Sequence, residues 1–300
     1  MTMTTAPEQI DLQDADAVRE LFESAAETMV QTPTRRGSVV DLPEGSRLVA
    51  TGDMHDHLLN FRRSVQLADL DAGEERHLLL QELIHGERLV NGYDFSYRIS
   101  ARAALLQRQY PGRVHLLLSN HELGQVIGED LRKHGISSLE AFHAGLEYVF
   151  GNQAEAVHES FGAWVRSMPL AVRCANGVML AHSLPATRFR GVFDPGVLER
   201  GLGEGDVTPL RGSAHQMVWG RSFHRDWVDQ LAGAWGVETF VLGHQYVDMG
   251  YELQGDRVLI LNSDHEHGVA LPIDTTRAYS RAELADEVLP LAGVLISDPA

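Results

Sequence analysis

The chain has 300 residues, is 44% hydrophobic and carries a formal net charge of −17. That acidity disfavours nucleic acid as a partner, because such binding needs a basic surface. No apolar run is long enough to span a bilayer, no basic-then-apolar leader opens the chain, and the single Cys174 allows no internal disulfide, so no membrane partner and a cytoplasmic location are expected.

In chain order, residues 1 to about 13 read as disordered. Asp14 to Val30 reads as a helix, capped by Asp14 or Asp16, with Val18, Leu21, Phe22, Ala25 and Met29 on one face. Gln31 to Gly45 is a polar connection in which Arg35 and Arg36 are solvated. The strand Arg47 to Ala50 empties into Thr51, Gly52, Asp53, Met54, His55, Asp56 and His57. Asp56 and His57 start the helix Leu58 to Leu70. The strand His77 to Leu80 empties into Gln81 and Glu82. After the stretch GERLVNGY, Asp94 stands before a helix from Phe95 to Tyr110, which it could cap. The strand Val114 to Leu118 stops at Ser119, Asn120, His121 and Glu122. A helical region of about 124–167 follows, with aromatics at core-like spacings.

Met168 to Arg173 is the next strand. Val178 to Ala181 then runs into His182 and Ser183, and Thr239 to Leu242 into Gly243, His244 and Gln245. The intervening stretch is rich in Gly and Arg. Arg221, in VWGRSFHRD, is the best candidate for gripping a phosphate, because a guanidinium fork matches two phosphate oxygens; Arg225 is the alternative. Trp227 to Trp235 is helical. Tyr251 to Leu253 and Val258 to Leu261 form a hairpin around Gly255-Asp256, ending in the rim residues Asp264, His265, Glu266 and His267. Gly268 to Ile273 is the last strand and Arg281 to Leu291 a surface helix.

Short aliphatic runs of this kind read as buried strands, and in an open α/β sheet chemistry sits at the carboxyl ends of strands. One strand ending in Asn-His-Glu reads most simply as a turn with a cap. Five strands ending in Asp, His, Glu, Asn, His and His point to a shared centre. The set is nitrogen and oxygen only, which suits Mn, Fe or Zn and argues against a structural Cys-type zinc site.

With these residues in hand, the sequence resembles the calcineurin-like metallophosphoesterases, and within them the Ser/Thr phosphoprotein phosphatases. That family runs GDxHG, GDxxDRG and GNHE, then two separate metal-binding His. Here GDMHD, QELIH and SNHE stand for the three motifs, and AHS and GHQ supply the late His. The resemblance spans Arg47 to Asp274. It implies an α/β fold, the four-layer αββα sandwich with two mixed central sheets. It implies two divalent or trivalent ions, with Asp53, His55 and Glu82 on one and Glu82, Asn120, His182 and His244 on the other. Phosphomonoester hydrolysis by a metal-bridging hydroxide is then the expected reaction, with His121 protonating the leaving oxygen and Glu122 orienting the SNHE loop.

The second motif departs most. Glu82 takes the place of the family's bridging Asp. Its second Asp is matched by His85 if no gap is allowed, or by Asp94 if GERLVNGY is an insertion; Asp94 would then pair with His121, and Arg98 would replace the lost Arg. The implied organisation is an N-terminal helix and connection over 1–45, then a catalytic domain over 46–300 with a helical insert near 124–167. The expected substrate is a phosphorylated small molecule or phosphoprotein. A diesterase or dinucleoside polyphosphate hydrolase is the alternative enzyme, and an inactive metal-binding relative the alternative class.

Overall fold

The computed structural model describes residues 10–133 and 135–296. In chain order it contains α1 (Ala15–Val30), β1 (Arg35–Arg36), β2 (Val39–Leu42), β3 (Arg47–Asp53), α2 (Leu58–Ala68), β4 (Arg76–Gln81), α3 (Tyr97–Gln109), β5 (Val114–Leu117) and α4 (Asn120–Ile127). There follow β6 (Arg132–Lys133), β7 (Ile136–Ser137), α5 (Ser138–Phe150), α6 (Ala154–Arg166), β8 (Ala171–Cys174), β9 (Val178–Ala181), α7 (Ser213–Val218), α8 (Arg225–Trp235) and β10 (Thr239–Leu242). The chain ends with β11 (Tyr251–Gln254), β12 (Val258–Leu261), β13 (Val269–Asp274), α9 (Arg281–Asp286) and β14 (Leu289–Pro290).

Two mixed sheets organise these elements. The 7-stranded sheet has the order β1-β2-β8-β9-β10-β12-β11, and the 5-stranded sheet β14-β13-β3-β4-β5. Within them β3, β4 and β5 are parallel, as are β9, β10 and β12. Successive side chains of a strand point to opposite faces, and here each face meets a different core. Leu79 of β4 joins Leu117, Leu180, Val241 and Leu259 between the sheets. Its neighbours Leu78 and Leu80 join the cluster under the helices, with Phe22, Phe161 and Trp164. That two-sided burial is why the strands read as unbroken aliphatic runs. Each fully buried Leu or Val contributes about 1.5–3 kcal/mol. The result is the expected αββα sandwich.

Several elements differ from their sequence reading. The segment 31–45 is more than a connection, because β2 pairs in parallel with β8 inside the larger sheet. Of the N-terminal stretch read as disordered, residues 1–9 lie outside the described residues; Leu12 is held, its carbonyl accepting from the Tyr97 hydroxyl at 2.8 Å. The helix expected over 281–291 stops at Asp286, and Leu289–Pro290 instead pairs with β13. Asp14 caps α1 by accepting from the N–H groups of Asp16 and Ala17. Cys174 is buried and its thiol is pushed up to about 12 by burial, as suits a core residue. Among the described residues no helix is long and apolar enough to cross a membrane.

Candidate functional site

The two sets of parallel strands end at a common edge. Asp53, the last residue of β3, forms a parallel bridge with Asn262 just beyond β12, and Ser263 N–H donates to Asp53 O at 3.0 Å. The sheets approach so closely here that a Cβ on Gly52 would lie 2.1 Å from Leu261 O, and one on Gly243 would lie 2.3 Å from Asp53 Oδ1. Only glycine permits those approaches.

Glu82 sits at the centre. Its φ of 46° is left-handed, a conformation that costs a non-glycine residue free energy unless its surroundings hold it. The surroundings do. The Glu82 carbonyl accepts from Met54 N–H at 3.0 Å and His55 N–H at 2.8 Å. Glu122 Oε1 takes the N–H groups of Leu83 at 2.7 Å and Ile84 at 3.2 Å, and Ser119 Oγ donates to the other Glu122 oxygen. Glu122 therefore ties the turn after β4 to the SNHE loop.

The Glu82 carboxylate, thus placed, lies between two groups of imidazoles. Oε2 is 3.6 Å from His55 Nε2 and 3.7 Å from His182 Nε2, and Oε1 is 3.7 Å from His121 Nε2. His55, Glu82 and His121 offer ligand atoms all within 4.8 Å of one another, and so do Glu82, His182 and His244. Glu82 belongs to both sets. On the first, His55 Nδ1 lies 2.8 Å from Ile84 O; a carbonyl only accepts, so Nδ1 bears a hydrogen, and in the neutral ring Nε2, the nitrogen facing Glu82, is the one left to ligate.

The second set is oriented by a residue that the sequence reading left without a role. Gln81 donates its amide N–H to Thr51 O at 2.9 Å, which turns Oε1 toward His182 Nδ1 at 2.8 Å. Nδ1 must then donate, and Nε2 carries the lone pair. That lone pair faces Asn120 Oδ1 at 2.8 Å and His244 Nδ1 at 3.2 Å. Several electron-rich atoms thus converge on one point, an arrangement that a cation would stabilise. Asp53 Oδ1 flanks the group, accepting His244 N–H at 2.9 Å and lying 3.7 Å from His182 Nδ1. Its carboxyl also pairs with Glu82, the carboxylate shared by the two groups.

The electrostatics follow from burial. Asp53 is pushed up to about 7, first by burial and further by Asp264, against the hydrogen bonds of Glu82 and His244 and the charge of Arg221. His244 is pushed down to about 3 by burial first and then by Arg221. His182 falls well below the usual imidazole range, by burial first and then by His244. Neutral imidazoles are the ligating form, and bound cations would reverse the penalty on the carboxylates. Asp53, His55, Glu82, Asn120, His182 and His244 could together hold metal, and their nitrogen-and-oxygen chemistry fits it.

Around this centre the remaining candidates separate. His121 is in place against Glu82. Asp94 Oδ2 lies 2.8 Å from His85 Nδ1, and Oδ1 accepts Ser96 N–H at 2.8 Å. His85 in turn packs against His121, ring centroids 5.4 Å apart. Both sequence alternatives for the missing Asp thus occur in one chain of contacts, with His85 in front and Asp94 behind. Arg221 is exposed, and its charge acts on Asp53, His182 and His244. Arg225, the first residue of α8, is paired with Asp256 at 2.6 Å. Arg98 lies over the Phe95 ring at 4.7 Å, and its charge acts on Asp56. His57 caps α2 by accepting from Asn60 N–H, as expected of a helix start. Of the rim residues, Asp264 acts on Asp53 and His57, whereas His265 faces Val247 O at 3.0 Å. Trp219, also missed, stands edge-on to His244 with centroids 6.4 Å apart; only its place near Arg221 in VWGRSF hinted at it.

No family model matches the chain, and no curated protein matches its sequence. Solved structures do match its fold. A protein serine/threonine phosphatase from Saccharomyces cerevisiae, with similarity to human phosphatase PP5, superposes with a TM-score of 0.68 at 14% identity over 93% of each chain. A cold-active protein-tyrosine phosphatase of a psychrophilic Shewanella species superposes with a TM-score of 0.53 at 14% identity, over 88% of this chain and 84% of that one. The chain therefore has the fold of these phosphatases.

Proposed function

We propose that this chain is a dinuclear-metal-dependent phosphatase that hydrolyses phosphomonoesters. The observation that carries the reading is the Glu82 carboxylate, buried and shared by the His55–His121 and His182–His244 groups. A carboxylate so placed suits a bridge between two cations. Asp53, His55, Asn120, His182 and His244 would complete their ligands, and Mn, Fe or Zn fits such donors. When bound, such ions supply a water deprotonated near neutral pH and neutralise phosphate oxygens.

The chain's own residues do the rest. Arg221 reaches into the field of the centre from an exposed position, where it can hold a phosphate as substrate arrives. His121 supplies the leaving oxygen with a proton, with its ring packed against His85, which Asp94 holds from behind. Gln81 and the Ile84 carbonyl keep the His182 and His55 rings in the ligating tautomer. The structural neighbours are named as a Ser/Thr and a Tyr phosphatase, which supports a phosphorylated side chain or a small phosphomonoester as substrate.

The test is p-nitrophenyl phosphate turnover with added Mn, together with metal content, for the wild type and Glu82→Gln. We expect turnover and bound metal in the wild type, and loss of both in the variant. Equal turnover in the two proteins would remove Glu82 from the reaction. Metal without turnover in the wild type, across a panel of phosphomonoesters, would make the chain a binding relative.

A further inference from the structure

A second group of metal-type ligands lies outside this centre, in the helical insert. His143 is on α5, and Glu155 and His158 are on α6, joined to it by a short turn. Residues three apart on a helix share a face, so Glu155 and His158 project together. The packing of α5 against α6 brings His143 to them, and the three ligand atoms all lie within 4.8 Å of one another. The two imidazole rings are 4.3 Å apart between centroids, at 50°. These three residues form a group separate from the two that share Glu82.

We propose that His143, Glu155 and His158 form a second, structural site for a divalent transition ion, zinc in the first instance. Two imidazoles and one carboxylate are a zinc-type ligand set, and a fourth position is left for water. An independent observation comes from α4. Gln125 is 3% exposed, its amide nitrogen lies 3.2 Å from His158 Nε2, and its Oε1 is buried with no hydrogen-bond partner. Turning that amide over places Oε1 against the ring. There it gains the partner it lacks and accepts the imidazole N–H, as outer carbonyls do behind metal-bound histidines.

The half-buried rings and the exposed Glu155 give the ion a path of entry. The His158 pKa is lowered, by burial first and then by His143. Once bound, the ion joins α5 to α6 and, through Gln125, to α4. Gln125 stands one helical turn after His121, so the ion would brace the helix that carries the SNHE residues.

The experiment is zinc titration of chelator-stripped protein, reading bound equivalents after desalting and affinity by calorimetry, for the wild type, His143→Ala and Glu155→Gln. The wild type should hold one equivalent more than His143→Ala. Glu155→Gln, an exposed substitution that leaves the fold intact, should weaken that equivalent by about tenfold or more. Equal equivalents and affinities in all three proteins would overturn the proposal. That outcome leaves the phosphatase reading untouched, because that reading depends on Glu82 and not on these residues.

Discussion

Gln81 Oε1 lies 2.8 Å from His182 Nδ1, while the Gln81 amide N–H is committed to the Thr51 carbonyl at 2.9 Å. One side chain thereby decides which nitrogen of His182 faces Asn120 and His244. Gln81→Leu keeps the volume and removes the acceptor. We expect metal affinity or turnover to fall by about 10- to 100-fold, the usual cost of losing an outer partner of a ligating histidine. A manganese titration of p-nitrophenyl phosphate turnover reads the effect, and superimposable curves for variant and wild type would deny Gln81 this role.

His121 as proton donor predicts a dependence on the leaving group. A p-nitrophenolate leaves readily without help, whereas an alkoxide or serine oxygen needs a proton. His121→Gln should therefore cost about 10²- to 10⁴-fold on a phosphoserine peptide or alkyl phosphate, and much less on p-nitrophenyl phosphate. An equal loss on both substrates would identify His121 as a metal ligand instead, a position its contact with Glu82 also allows.

The two arginines of VWGRSFHRD should behave differently. Arg221 acts on the buried centre, whereas Arg225 is paired with Asp256 at 2.6 Å. A charge-assisted hydrogen bond to phosphate is worth about 1.5–3 kcal/mol, so Arg221→Ala should lower kcat/KM by about tenfold or more. Arg225→Ala should leave it within about twofold, the small effect expected of an exposed ion pair. Steady-state kinetics of the two variants separates the readings, and the reverse order would exchange their roles.

A buried pair far from the chemistry predicts acid sensitivity. His77 Nδ1 and His115 Nε2 lie 3.2 Å apart. His77 is lowered to about 4 by burial first and then by Arg113, and His115 to about 3 by burial first and then by His77. The unfolded chain takes up these protons near pH 6.5 and the folded chain only near 3–4, so stability rises with pH across that window. The contribution is fully present above about pH 6.5 and is lost as pH falls toward 4. A His77→Leu/His115→Leu double variant should show a flatter fall of Tm between pH 6.5 and 4.5. Parallel Tm curves would show that the pair does not titrate in this way.

Much of the fold is legible locally. Alternate residues of β4 and β9 enter different cores, and such strands are written as unbroken aliphatic runs. Helix starts such as Asp14 carry their own caps. Where local signals failed, tertiary pairing had overridden them. The polar stretch 31–45 contains β2 because β8 offers it an edge. Residues 289–290 leave the helical pattern because β13 offers another.

By itself the sequence determined which side chains stand at the strand ends, because a strand, its last residue and the turn after it are set by contiguous residues. It also determined that those side chains carry only nitrogen and oxygen donors. The tertiary structure alone decided how they are shared. Glu82 lies between both imidazole groups, Asp94 pairs with His85, which packs against His121, Gln81 fixes a histidine about a hundred positions away, and Arg225 pairs with Asp256 while the charge of Arg221 acts on the centre. Those relationships are distances of a few ångströms between residues far apart in sequence. They are set by how two sheets pack face to face and bring their strand ends together, and no spacing along the chain records that.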